Sequence, residues 1–177
     1  MNLFKRLKRI INSSMKEITL KSLIKEVKEL RKAGKKMVLA NGCFDLIHVG
    51  HIRFLQGAKK KGDILIVAVN SDKSVRQIKG EQRPIFSQDD RAEIISAIEF
   101  VDYVIIFNEP TVAKLLHSIK PDIHCKGTDY TYETVPEREV VKEYGGTISI
   151  VGDPKEHSTK DIIKYIVAKY SPHGSTI

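Results

Sequence analysis

Residues 37–51 read MVLANGCFDLIHVGH. The run 37–40 is apolar without alternation, the pattern of a strand covered on both faces of a sheet. Asn41-Gly42 ends it, and a helical pattern starts near Gly50 and continues to about residue 61, closed by Gly62. A strand that passes through a glycine-bearing turn into a helix opens a βαβ unit, so this stretch sets the class of the fold. It also places two histidines, His48 and His51, three residues apart at the junction.

The alternation continues in both directions. Upstream, Leu20, Leu23, Ile24, Val27 and Leu30 form a helical apolar stripe, with Thr19 as N-cap and Gly34 as stop. Downstream, 64–69 reads as an apolar strand and the polar stretch NSDKSVRQIKGEQRP (70–84) as a loop. Helices are expected over 88–100, over 111–119 (opened by Pro110), over 136–144 and from about 158 to 169. Strands are expected over 103–107, 122–126 and, after Gly145-Gly146, 147–151. The pattern predicts an α/β fold: a Rossmann-like five-stranded parallel sheet in the order 3-2-1-4-5, with helices on both faces. Ligands of such sheets bind beyond the carboxyl ends of the strands where the winding reverses, here between the first and fourth strands. The unusual residues gather at those two ends, NGCFDLIHVGH after the first and KGTDY after the fourth. The loop carrying Lys79 and Arg83 can reach the same mouth.

Composition narrows the function classes. The 177 residues are 41% hydrophobic and 29% charged, which suits one globular domain. The net charge of +8 is localised, since residues 1–36 carry twelve Lys or Arg against three Glu and the rest of the chain is close to neutral. A near-neutral body argues against a nucleic-acid-binding face. The organisation expected is a basic amphipathic extension over 1–15 (Leu3, Phe4, Leu7, Ile10 and Ile11 among basic residues), one domain over 16–170, and a flexible tail over 171–177. The extension is read as packing on the body or at a subunit contact. Docking of the arm on RNA or a membrane surface is the non-enzymatic alternative. No apolar stretch approaches the roughly 20 residues of a membrane span, and the N-terminus lacks the features of a secretory signal. Cys43 and Cys125 form no CxxC pair, so a cytoplasmic protein without a disulfide framework is expected.

Three readings compete for the histidines. Zinc would need a third ligand, for which Asp45 is a weak candidate. Packed structural imidazoles flanking an apolar face are the second reading. The third is an anion site: Gly42 and Gly50 allow close backbone approach, the helix start offers unpaired N–H groups, and imidazoles add donors. The residues favour the third, and phosphoryl chemistry suits it because that chemistry asks mainly for positioning and charge stabilisation.

GCFDLIHVGH resembles the signature of the cytidylyltransferase-like nucleotidyltransferases, whose shared His-x-Gly-His is here His48, Val49, Gly50 and His51. The resemblance covers about residues 17–170. Within that superfamily the chain is most similar to the adenylyltransferases that act on D-glycero-β-D-manno-heptose 1-phosphate. The closer match lies in AGKKMVLANGCFDLIHVGH, DILIVAVNSD, IKGEQRPI, FVDYVI, KGTDY and HSTKDII, taken in order.

The resemblance implies transfer of AMP from ATP to the heptose phosphate with release of pyrophosphate, assisted by Mg2+ held by the nucleotide rather than by protein ligands. It implies that His48 and His51 contact the nucleotide phosphates and the leaving pyrophosphate, and that Lys79 bridges the phosphates of the two substrates. Gly42, Cys43, Phe44 and Gly50 would present backbone to the nucleotide, and Asp45 would order their loop. Arg83 and Arg91 would act as supporting cations, Arg83 on the acceptor side with Asp72 and Tyr130. Lys126, Gly127 and Asp129 would line the nucleotide at the fourth strand. Ser158 and Thr159 match a phosphate-binding signature at the last helix. Simpler readings stand beside these. Arg91 could pair with its acidic helix neighbours at the surface, Ser158 could be an N-cap, and Cys43 more naturally offers backbone than a thiolate.

Two departures matter. Some relatives carry an arginine before the serine/threonine cluster, where this chain has DPKEHSTK; Lys155 or His157 would have to serve. That argues against a glycerol-3-phosphate cytidylyltransferase, which remains an alternative together with an FAD-synthetase-type adenylyltransferase. Many heptose enzymes also fuse a sugar kinase on the N-terminal side, and this chain has no room for one. A stand-alone adenylyltransferase served by a separate heptose kinase is expected, acting as a homo-oligomer.

Overall fold

Five parallel strands form one sheet: β1 (Met37–Gly42), β2 (Ile64–Asn70), β3 (Tyr103–Phe107), β4 (Ile123–Lys126) and β5 (Thr147–Ile150), in the order β3-β2-β1-β4-β5. This is the order expected from the sequence. The computed structural model describes residues 16–154 and 158–171. The basic segment 1–15, Lys155 and His157, and the tail from 172 lie outside the described residues.

The central strands are mostly apolar because helices cover both faces. On one face Val38, Ala40, Leu65, Val67, Val69, Val104 and Cys125 pack under α2 (Val49–Lys59) and α4 (Gln88–Ala97), through Leu55, Ala58, Ala92 and Ile95. On the other, Met37, Leu39, Ile66, Ala68, Ile105 and Phe107 meet α1 (Leu20–Lys32), α5 (Ala113–Ile119) and α6 (Arg138–Glu143), through Leu23, Val27, Leu116, Ile119 and Val141. Truncating any of these fully buried leucines to alanine would cost about 2–5 kcal/mol. Thr19 caps α1 by accepting the Ser22 N–H at 3.3 Å, and Gly34, at φ +66°, turns the chain out of it. The backbone of Lys16 and Ile18 hydrogen-bonds Val104 at 2.8 and 2.9 Å, adding a bridge along the outer edge of β3. A protected edge has no open row of donors for another chain.

The sequence reading of 70–84 as a loop is corrected. Residues Asp72–Lys79 form α3, capped by Ser71, whose hydroxyl accepts the Ser74 N–H at 3.2 Å. Only Ser74 and Val75 of its eight residues are buried, so no apolar stripe announces the helix. Other helices are shorter than expected, among them α5, which begins at Ala113 rather than at 111. α4 ends at Ala97 because Ile98 is already extended, and α6 begins only at Arg138, after a 3-10 turn over Tyr132–Thr134. The last helix, α7 (Thr159–Tyr170), has no fully buried residue. Among the described residues no helix is long and apolar enough to cross a membrane.

The end of β1 opens the site. Pairing with β4 stops at Ala40 and Cys125, whereas pairing with β2 continues to Gly42 and Val69. Beyond Ala40, β1 and β4 part, leaving a crevice flanked by Asn41 and Lys126.

Candidate active site

The turn from β1 into α2 is built around Phe44. This residue is buried and takes the left-handed backbone conformation at φ +48°, uncommon for a side chain of its size. Its ring fills the space above Gly42, where an added Cβ would lie 3.1 Å from it, and meets the His51 ring edge-on with centroids 5.4 Å apart. A side chain at Gly50 would in turn press the His48 ring at 3.0 Å. Both glycines are needed for side-chain room, which the backbone-approach reading alone did not anticipate.

His48 is the N-cap of α2 and His51 lies in its first turn, so the two imidazoles sit 3.9 Å apart with planes inclined at 34°. The backbone N–H of His48 donates to Nδ1 of His51 at 3.4 Å. Burial pushes the His51 imidazole down, His48 adds to the effect, and the result is about 4. His51 is therefore neutral near pH 7. With Nδ1 accepting, its proton resides on Nε2, which becomes the hydrogen-bond donor. Among the described residues no group of three His, Cys, Asp or Glu side chains could hold a metal, so the zinc reading finds no third ligand.

Asp45, 1% exposed, reaches well beyond its own loop. Its carboxylate accepts Arg83 Nε, the Ile85 N–H at 2.8 Å and the Phe86 N–H at 3.1 Å. It thereby fastens the segment after α3 to the β1–α2 turn, and Arg83 is an anchor of that segment.

Arg91, fully buried, corrects one expectation: it is not an ion pair at the surface. It donates through Nη1 to the Cys43 carbonyl, through Nε to the Phe86 carbonyl at 3.1 Å, and through Nη2 to Asp72 at 2.8 Å. Asp72, expected on the acceptor side, is thus the counter-charge of Arg91 at the start of α3. One guanidinium ties together three segments bordering the mouth.

Lys79 ends α3 and is exposed. Burial pushes the Cys43 thiol up, opposed by the charges of Lys79, Arg91 and Arg83. The thiol stays protonated near neutral pH, consistent with a backbone role. The charge of Lys79 is thus felt at Cys43. Burial also pushes Tyr130 up, reinforced by Asp129, Glu137 and Cys43.

At that turn Lys126, 6% exposed, extends Nζ over the Tyr130 ring at 4.5 Å and toward Asn41 Oδ1 at 3.4 Å. A Cβ on Gly127 would fall 2.8 Å from Asp129 Oδ1, so a side chain there would make the Asp129 carboxylate shift, and the Tyr130 N–H closes on the Gly127 carbonyl at 3.0 Å. The Thr128 hydroxyl donates to the Asp153 carbonyl at 2.6 Å, and Arg53 of α2 pairs with the Asp153 carboxylate at 2.8 Å. These contacts tie the β4 turn to α2 through the end of β5. Ser158 is a cap: it accepts the Asp161 N–H at 3.2 Å and donates to the Asp161 carboxylate. Its hydrogen bonds stay within α7, as does Thr159 as that helix's first residue. Glu137, which the sequence did not single out, lies buried against Lys126, with 3.6 Å between Oε2 and Nζ.

The family described as cytidylyltransferase-like matches residues 39–173. The chain is 43% identical over 155 residues to a protein named bifunctional protein HldE from Syntrophotalea carbinolica, covering 87% of this chain and 32% of that one. It is 48% identical over 143 residues to the bifunctional protein HldE of Geobacter metallireducens, covering 80% and 29%. The chain thus spans about a third of the length of the curated relatives it matches. A solved structure, the lipopolysaccharide core biosynthesis protein from Thermoplasma volcanium, aligns with a TM-score of 0.56 at 35% identity, over 66% of this chain and 94% of that one. The chain belongs to the cytidylyltransferase-like family.

Proposed function

We propose that the protein transfers AMP from ATP to D-glycero-β-D-manno-heptose 1-phosphate, giving ADP-heptose and pyrophosphate. The observation that carries the reading is the pair of imidazoles His48 and His51 at the start of α2, beside the switch point where Lys126 of β4 reaches Asn41 at the end of β1. The acceptor is supported by the ordered segments that resemble the heptose adenylyltransferases and by the similarity to proteins named bifunctional protein HldE. Likeness to a lipopolysaccharide core biosynthesis protein supports a product used in lipopolysaccharide core assembly.

In this reading an oxygen of the sugar phosphate attacks the α-phosphorus in line. The new P–O bond forms as the bond to the α,β-bridging oxygen breaks, and pyrophosphate leaves with the electron pair. The nucleophile is an already ionised phosphate, so no side chain has to remove a proton. What the protein supplies is position and charge stabilisation. His51 donates through Nε2–H to the oxygens where charge grows, with His48 beside it. Lys79 lies between the phosphates of the two substrates, and Lys126, Gly127 and Asp129 line the nucleotide side, with Tyr130 covering the turn. Arg91, Asp72, Asp45 and Arg83 hold the walls. Mg2+ bound with the nucleotide would supply charge neutralisation at the phosphates. The described residues offer no three-ligand group of their own for it. The reaction consumes ATP, so in this reading it belongs in the cytoplasm.

The test is pyrophosphate release from ATP or CTP, each offered heptose 1-phosphate, glycerol 3-phosphate or FMN. Release with ATP and heptose 1-phosphate well above every other pair is expected. A preference for CTP with glycerol 3-phosphate, for FMN, or no release with any pair would overturn the assignment.

A further inference from the structure

β4 carries a buried charge cluster of which the proposed chemistry uses Lys126 alone. His124 and Lys126, two residues apart on one strand, point to the same face, and both approach Oε2 of Glu137, at 3.7 and 3.6 Å. His124 is 0% and Glu137 4% exposed. Glu137 belongs to no strand. It closes the 127–137 connection immediately before α6, so its carboxylate fastens that connection to the end of β4.

The charges in the cluster can be assigned. Burial holds His124 below its usual range, more strongly than Glu137 raises it, so the imidazole is neutral. Burial pushes the Glu137 carboxyl up, but the contact with His124 and the ammonium of Lys126 more than offset this and bring it to about 2. With His124 neutral, Lys126 is the positive charge that keeps Glu137 ionised. The dependence is mutual, because a charge this buried is tolerated only with a partner. Lys126 has three further restraints, Asn41 at 3.4 Å, the Tyr130 ring at 4.5 Å and the wall of β4, and Asn41 and Lys126 flank the crevice where β1 and β4 part.

We propose that Glu137 is a positioning residue for the nucleotide: its carboxylate holds the ammonium of Lys126 at the crevice between β1 and β4, aimed at the triphosphate. The proposal rests on the nucleotide-binding half of the reading above and deepens it. Without its counter-charge the Lys126 ammonium leaves the crevice for solvent, and the nucleotide loses a fixed cation.

The test is a double-mutant cycle read by calorimetric binding of MgATP to the full chain, with Glu137→Gln, Lys126→Met and the pair combined. Glu137→Gln is expected to weaken ATP binding at least about 10-fold in the parent background, or ~1.4 kcal/mol. In the Lys126→Met background the same change should alter binding by less than about 2-fold, because the residue acts through the lysine. The combined variant removes both charges and is expected to fold. Should the single variant fail to fold, Glu137→Asp keeps the charge and retracts it by one methylene, and should weaken binding about 3-fold. Unchanged affinity in Glu137→Gln or Glu137→Asp, an equal loss in both backgrounds, or no ATP binding by the parent overturns the proposal. Pyrophosphate release, measured separately, reports on the transfer reaction, so binding without turnover would sink the heptose assignment and leave this inference standing.

Discussion

The guanidinium of Arg91 donates to the carbonyl oxygen of Cys43 across 48 residues of chain, in a position with no exposure to solvent. The bond fixes the exit of β1, and the same side chain holds Phe86 and Asp72. The geometry of the mouth therefore depends on a residue that does not line it.

Arg91→Met removes that tie and leaves Asp72 and two carbonyls without their donor. Breaking a buried pair on one side costs about 3–5 kcal/mol, and denaturant unfolding should show a loss of that size. A variant of undiminished stability with lost ATP binding would instead mark Arg91 as a ligand contact.

The second prediction concerns Asp45, whose carboxylate carries Arg83 and the N–H groups of Ile85 and Phe86. Asp45→Asn keeps the shape but turns a donor toward Arg83, costing roughly 2–4 kcal/mol. Hydrogen exchange should report the loss locally, as weakened protection of the Ile85 and Phe86 amides before global unfolding. Unaltered protection there would mean the segment is held by something else.

The pH dependence of stability follows from His51. Its imidazole titrates at about 4 when folded, against 6.5 when exposed. Between these values the unfolded chain binds the proton more readily, so stability is complete above the unfolded value and falls as pH drops toward the folded one. At pH 5 the loss is roughly 2 kcal/mol. His124, also held low by burial, acts in the same direction, so the His51 share is read by comparison with His51→Asn. The drop in unfolding free energy from pH 7 to pH 5 should be smaller in the variant, and equal drops would contradict a buried neutral His51.

Much of the fold was legible because the strands are buried on both faces and show it as unbroken apolar runs, such as Ile64–Asn70. The switch point followed from their alternation with helices, and the site's position followed from the switch point. What escaped was held by tertiary contacts that leave no local pattern. α3 buries only two of its eight residues, although Ser71 as its cap and Gly80 at its end were readable signals. Arg91 stands in the acidic stretch QDDRAE, which reads as surface; its burial comes from Cys43 and Asp72, 48 and 19 residues away. Glu137 sits in a connection between turns, where a carboxylate is ordinarily solvated, and only the fold brings it to Lys126.

Lys79 gives the fourth prediction because it is exposed and its removal leaves the scaffold alone. Lys79→Met should change unfolding free energy by no more than about 0.5 kcal/mol while lowering turnover by about 100-fold, the scale of one charge-stabilising donor. Turnover near the parent value would remove Lys79 from the site.

The central claim is that His48 and His51, Lys79 and the turn Gly127–Asp129 surround one triphosphate. A crystal structure with a non-hydrolysable ATP analogue tests it most directly. The account predicts the phosphates within hydrogen-bond reach of His51 Nε2 and of the Lys79 ammonium, with the nucleoside over the β4 turn. A triphosphate bound away from the β1–α2 turn, or one whose phosphates meet neither histidine nor Lys79, would contradict it.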